Sequence, residues 1–249
     1  EHLSMRFGGL IAVNDLSFSV GRGDITAIIG PNGAGKTTVF NCITGFYKPT
    51  GGRIAMALEK ADPKALEEVT STGRRSSEDG KVFLLDRMPD FEISRDAKVA
   101  RTFQNIRLFG GMTVLENLMV AQHHMLMTAS RFSIAGVFNL KSFRDGRDKA
   151  MKLAEYWLER IDLTDRADDP AADLPYGAQR RLEIARAMCT NPLLLCLDEP
   201  AAGVPRSESA QLFEAIAGLP DNITVLFIEH DMDIVFRFAT RIIVLVGGA

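Results

Sequence analysis

Cysteine is scarce in this chain of 249 residues. The three present, Cys42, Cys189 and Cys196, are scattered through apolar segments. That excludes a disulfide framework and a cysteine-based zinc site, and leaves them as small core residues of a reducing cytoplasm. Long apolar runs are missing too. ITVLFI and RIIVLV fall far short of the ~20 residues that span a bilayer, and have the length of buried strands. Positive charge is not in excess: 29 Lys and Arg against 32 Asp and Glu give −3. Neither nucleic acid nor an anionic membrane surface is an expected partner of such a chain. A signal peptide is lacking, and EHLSMRFGG reads as the interior of a first strand, so the natural start is expected to lie upstream.

What is present is an α/β pattern. DITAIIG (24–30), PLLLCLDEP (192–200), NITVLFIEH (222–230) and RIIVLV (241–246) are continuous apolar runs. Parallel strands covered on both faces read this way. Helical segments between them predict an open sheet, in which ligands gather at the carboxyl ends of the strands. Two stretches interrupt it. From 54 to 99, short strand-like pieces surround TSTGRRSSEDGK (70–81), which predicts an exposed, mobile hairpin loop. From 113 to 169 the pattern turns helical. Thr113 and Glu116 form a capping box, and RDKAMKLAEYWLERI carries apolar residues at helical spacing. His123 and His124 on the first of these helices are expected to face solvent.

GPNGAGKTT (30–38) satisfies the phosphate-loop pattern in full and follows a strand. Gly30, Gly33 and Gly35 let the backbone, with Asn32 and Ala34 between them, wrap around a phosphate. Successive N–H groups and the start of a helix then face the anion. Lys36 reaches the β- and γ-phosphates, Thr37 offers a hydroxyl ligand to Mg²⁺, and Thr38 is a second hydroxyl. The expected cofactors are ATP and Mg²⁺.

Asp198 and Glu199 end a buried strand. Alone, such a pair reads equally as caps for a following helix. Beside the phosphate loop, Asp198 reads as a Mg²⁺ ligand acting through water, and Glu199 as the group that polarises the attacking water. His230 ends another strand at the same sheet edge, where an imidazole can touch the γ-phosphate or position Glu199. Gln104, in RTFQN, carries an amide able to reach Mg²⁺ or water. LPYGAQRR (174–181) opens a helix with few side chains able to do chemistry.

These segments in this order resemble the ATP-binding-cassette ATPases, and more narrowly the ATP-binding subunits of branched-chain amino-acid importers. RFGGLIAVNDLSF, VARTFQNIRLF and LPYGAQRRLEIARAM carry the narrower likeness. The resemblance implies a P-loop NTPase (RecA-like) core with an antiparallel β subdomain and an inserted helical subdomain. Its boundaries are 1–104 with 186–249 for the core and 105–185 for the helices. It implies that Phe7 stacks on adenine. It also implies a head-to-tail dimer in which the 174–178 segment of one subunit covers the γ-phosphate held by the other. The family's usual Leu-Ser-Gly-Gly-Gln is here Leu174, Pro175, Tyr176, Gly177 and Ala178, so the serine hydroxyl and the glutamine are absent. What remains is the positive helix end and the N–H groups of Tyr176, Gly177 and Ala178. Of Arg180 and Arg181, at least one is expected on an exposed helix face.

The resemblance further implies a transmembrane permease partner and a place on the inner face of the cell membrane. Leu108, Phe109 and Met112 are candidates to receive the permease, with ordinary core packing the alternative for each. FSIAGVFNL (132–140) is expected to pack internally, with a contribution to the same surface as its alternative. Ala202–Arg206 departs from the family's Ala-Gly-Leu-Asn-Pro, and VGGA stops short of the family's final strand and helix. Competing readings are a cassette ATPase that remodels DNA or ribosomes, an exporter ATPase, and a nucleotide-binding module without turnover.

Overall fold

The apolar runs become strands of one sheet. In the computed structural model, which describes residues 1–59, 63–123 and 141–248, β3 (Ile25–Ile29), β7 (Leu194–Asp198), β8 (Thr224–Ile228) and β9 (Arg241–Val244) run parallel. With β6 (Val99–Thr102) they form a five-stranded sheet in the order β6-β7-β8-β3-β9. The register decides where chemistry can occur. Asp198 lies opposite Ile228, and Ile228 opposite Ile28. The residues that follow, Glu199, His230 and Gly30, therefore leave the sheet at one edge.

The chain packs as two compact units. The first comprises Glu1–Arg101, Pro192–Pro200 and Pro220–Ala249. Besides the sheet it holds an antiparallel pair, β1 (Leu3–Phe7) with β2 (Leu10–Leu16), and a second pair, β4 (Ala55–Ala57) with β5 (Val82–Leu84). Its helices are α1 (Lys36–Ile43), α2 (Pro63–Thr72), α3 (Asp90–Arg95) and α8 (Met232–Phe238). Val13, Ile28, Phe40, Cys42, Leu85, Ile93 and Cys196 are among its buried core.

The second unit comprises Thr102–Asn191 and Ala201–Leu219. It is built from α4 (Val114–Ala121), α5 (Lys141–Arg160), α6 (Tyr176–Met188) and α7 (Arg206–Ala217). The capping box is present at α4: Thr113 Oγ1 accepts the Glu116 N–H, and Glu116 accepts the Thr113 N–H. Leu118, Ala150, Ala154, Trp157, Leu182 and Phe213 are buried between these helices.

One expectation needs correction. Thr70–Thr72 do not open a loop; they end α2, a helix that the sequence reading did not anticipate. The segment that follows is hydrogen-bonded: buried Ser77 accepts the N–H groups of Lys81 and Val82 through Oγ, at 3.2 and 3.0 Å. Residues 102–104, 186–191 and 201–219 pack with the helical unit, because α7 lies on α6 and buries Leu212, Phe213 and Ile216. His124 and FSIAGVFNL (132–140) lie outside the described residues; His123 is exposed.

Candidate functional site

In the first unit the phosphate loop links β3 to α1. Gly35 is the N-cap of α1 at φ 90°, a left-handed conformation that favours glycine. A Cβ there would meet the Ala12 carbonyl at 2.3 Å, and one at Gly30 would meet the Leu245 carbonyl at 2.3 Å. Both glycines are thus required by the protein's own backbone before any ligand is considered. At Gly33 a Cβ would meet nothing within 4 Å, so there it is the left-handed φ of 81° alone that favours glycine.

The first turn of α1 contains no acidic residue, and its N–H groups have no carbonyl one turn earlier to bond. Thr37, Asn32 and Gly33 are exposed. Lys36 is only 6% exposed, and its ammonium folds back to donate to the Gly30 and Pro31 carbonyls at 2.7 and 3.0 Å. The Ala34 N–H donates to the Pro31 carbonyl at 3.2 Å, so Ala34 offers less to an anion than the pattern alone suggests. Phe7, at the end of β1, is 40% exposed and meets the Tyr47 ring edge-on at 5.1 Å.

At the end of β7 the two acids separate by role. Glu199 adopts φ 49°, uncommon for a residue with a side chain. Its N–H donates to the Ile228 carbonyl at 3.0 Å, and its Oε1 lies 3.0 Å from His230 Nε2. Asp198 is buried and bonded at 2.8 Å to Arg101, whose other terminal nitrogen donates to Asn41 at 2.6 Å and Thr44 at 3.3 Å. Arg101 was not marked by any pattern in the sequence; only the neighbouring of β6 and β7 reveals it. Among the described residues no group of three or more His, Cys, Asp and Glu side chains could hold a metal ion.

The second unit carries the signature segment and Gln104. Tyr176 is 41% exposed, Gly177 and Ala178 are buried, and Pro175 caps α6 without a side-chain hydrogen bond. A Cβ on Gly177 would lie 2.0 Å from Glu208 Oε2 of α7, and one on Gly203 would lie 3.2 Å from the Tyr176 ring. Gly177 is therefore a point of close approach within one chain. In the Ala202–Arg206 segment Gly203, which matches the family, lies against the Tyr176 ring, and Pro205, which departs from it, is the N-cap of α7.

Neither arginine is a solvated face. Arg180 is 2% exposed, and half-buried Arg181 donates through Nε to the Ile161 carbonyl at 3.0 Å. Burial pushes the Glu183 carboxyl up from its ordinary value, against the pull of the Arg107 N–H and of Arg180. Phe109 and Met112 are exposed and Leu108 half-buried. Buried Asn117 holds the Phe109 main chain, donating to its carbonyl at 3.0 Å and accepting its N–H at 2.9 Å.

Known proteins share this pattern. A family model described as ABC transporter matches residues 13–202. The chain is 46% identical over 249 residues to the high-affinity branched-chain amino acid transport ATP-binding protein BraF of Pseudomonas aeruginosa, covering 99% of this chain and 87% of that one. Identity to LivG of Escherichia coli, which bears the same description, is 46% over 248 residues, covering 99% and 86%. Among solved structures, the ADP conformation of an ATP-binding cassette of an ABC transporter matches at 30% identity with a TM-score of 0.72. That match covers all of this chain and 86% of the other. A nucleotide-free cassette matches at 29% with a TM-score of 0.71, covering all of this chain and 87% of the other.

Proposed function

The chain belongs to the ABC transporter family and is an ATPase of the cassette type; from that premise we propose that it powers an importer of branched-chain amino acids from the cytoplasmic face of a membrane. Its partners are a second cassette and a transmembrane permease. The observation that carries turnover is the 3.0 Å contact of His230 with Glu199 at the sheet edge where the phosphate loop also emerges. A module that only binds nucleotide has no need of a base held in a strained turn by an imidazole. Among the described residues no helix is long and apolar enough to cross a membrane.

The roles follow from chemistry. The amides of Asn32, Gly33, Gly35, Lys36 and Thr37 face the phosphates, joined by Ala34 once its turn to Pro31 opens, and Thr38 adds a hydroxyl. Lys36 exchanges two loop carbonyls for phosphate oxygens, which costs little because the ammonium is already desolvated. Phe7 offers its exposed ring to adenine. Thr37, Gln104 and, through water, Asp198 would hold Mg²⁺, which would supply positive charge against the phosphates. Glu199 takes the proton of the attacking water, and His230 fixes its direction. The amides of Tyr176, Gly177 and Ala178 close over the γ-phosphate of the partner cassette, using the positive end of α6 in place of a serine hydroxyl.

Two experiments test this reading. In proteoliposomes holding the cassette, its permease and the solute-binding protein, leucine, isoleucine or valine should raise ATP hydrolysis; no stimulation by any of the three would remove the assigned solute class. Gly177→Leu should leave the Kd of the single subunit for ATP unchanged and lower hydrolysis by about two orders of magnitude, the size seen when one oxyanion donor is lost. Because a side chain at 177 meets Glu208, the same loss should persist in Gly177→Leu/Glu208→Ala, which relieves the crowding inside the chain. Recovery of hydrolysis in that double variant would assign the effect to α7 and not to the partner's nucleotide.

A further inference from the structure

Among the described residues Arg180 heads the fully buried side chains in size. A buried guanidinium is tolerated where its charge is met by acceptors; here main-chain and side-chain oxygens meet both terminal nitrogens, while the buried Nε has no hydrogen-bond partner. Nη1 donates to the Phe103 carbonyl at 2.8 Å, and Nη2 donates to the Gln104 carbonyl and to the Tyr176 hydroxyl at 3.0 Å. The Tyr176 ring lies 5.4 Å from the guanidinium carbon. Glu183 Oε2 sits 3.1 Å from Nη1, and its Oε1 accepts the Arg107 N–H at 3.1 Å. Residues 103–109 are neither helix nor strand, so their backbone groups need partners from elsewhere. Tyr176, Arg180 and Glu183 form one stripe of α6 at helical spacing. That stripe holds carbonyls at two positions of the segment and an amide at a third.

We propose that Arg180 is a positioning residue that locks the 103–107 segment to the first turn of α6, so that Gln104 and the Tyr176–Ala178 amides move as one body. The planar fork is what the task requires: it reaches two carbonyls and a hydroxyl at fixed angles, which the point charge of lysine cannot reproduce. The consequence for turnover rests on the function proposed above. There Gln104 senses the nucleotide held by its own subunit, and the α6 amides close on the nucleotide of the partner. A rigid link makes the two events simultaneous.

The test reads the link directly. Spin labels are placed through cysteines introduced at exposed Asn105 and exposed Thr190, the latter just beyond α6. The native thiols stay unlabelled at neutral pH, because burial raises Cys42 to about 11 and Cys189 and Cys196 to about 12. Double electron–electron resonance on the full chain should give one narrow distance distribution, with the same mean without nucleotide and with ATP in a Glu199→Gln background. Arg180→Lys should broaden it and let the mean shift with ATP, while kcat falls roughly tenfold at unchanged KM, the pattern of an arrangement needed only in the transition state. Arg180→Met/Glu183→Met, which replaces the ion pair with apolar side chains of similar length, should broaden it in the same way.

A distribution that stays narrow in both variants, or a wild-type mean that shifts on adding ATP, overturns the lock. The nucleotide-free measurement decides it even if the Glu199→Gln dimer never forms; that outcome would instead remove the function proposed above.

Discussion

Glu199→Gln should bind ATP as tightly as the wild type, hydrolyse it about 10²–10⁴-fold more slowly, and accumulate as an ATP-bound dimer. Glu199 follows β7 in a left-handed turn and is held by His230 at 3.0 Å. An amide fills the same space and can still bond the imidazole, so the turn and the cradle should survive. What the amide loses is the capacity to take a proton from water. If hydrolysis is what reopens the pair, blocking that step while leaving binding intact stores the closed form. Equilibrium binding of a fluorescent ATP analogue, single-turnover hydrolysis and light scattering read the three parts separately. Wild-type turnover in this variant would take Glu199 out of the mechanism. His230→Ala should give a smaller loss, because it frees the base without removing it.

The largest expected effect on stability belongs to Arg101. Arg101→Met should destabilise the chain by about 3–5 kcal/mol, the usual consequence of leaving one buried charge without its partner. Both side chains are almost wholly buried, at 7% and 6% exposure, and meet at 2.8 Å. Arg101 also bonds Asn41 and Thr44 at the far end of α1, so it joins the helix that follows the phosphate loop to the strand that carries Asp198. Asp198→Asn/Arg101→Met should be far less destabilised than the two single changes added together, with a coupling of about 0.5–3 kcal/mol. Denaturant midpoints at constant m measure this. Strict additivity would mean that the pair has no energetic link and that Asp198 is held by other groups.

The same two elements show how differently the site could be read in advance. Residues 30–38 were legible because a phosphate loop is a local object: its glycines, lysine and hydroxyl follow one another, and a strand of apolar residues precedes them. Asp198, Glu199 and His230 were legible for a related reason, since each ends an apolar run and parallel strands present their ends together. Arg101 carries no such mark. It is one arginine in VARTFQ, and its meaning depends on β6 lying beside β7. The expectation that at least one of Arg180 and Arg181 lies on an exposed face fails for the same reason, because a charged residue on a helix is solvated unless something far away in the chain covers it. The α2 helix was missed because its apolar stripe rests on Leu66 and Val69, and two large apolar residues three apart are too few to fix a period.

By itself, then, the order of residues determined the parallel sheet, the phosphate loop, the three polar strand ends and the bare opening of α6. All of these are encoded in spacing along a few turns or a single strand. Tertiary structure alone decided that Asp198 shares its charge with Arg101, that Glu208 crowds Gly177, and that Arg180 grips the main chain at Phe103 and Gln104. Each of those contacts joins residues distant in the chain, and the low dielectric around a buried charge makes the identity of its partner a property of the folded molecule.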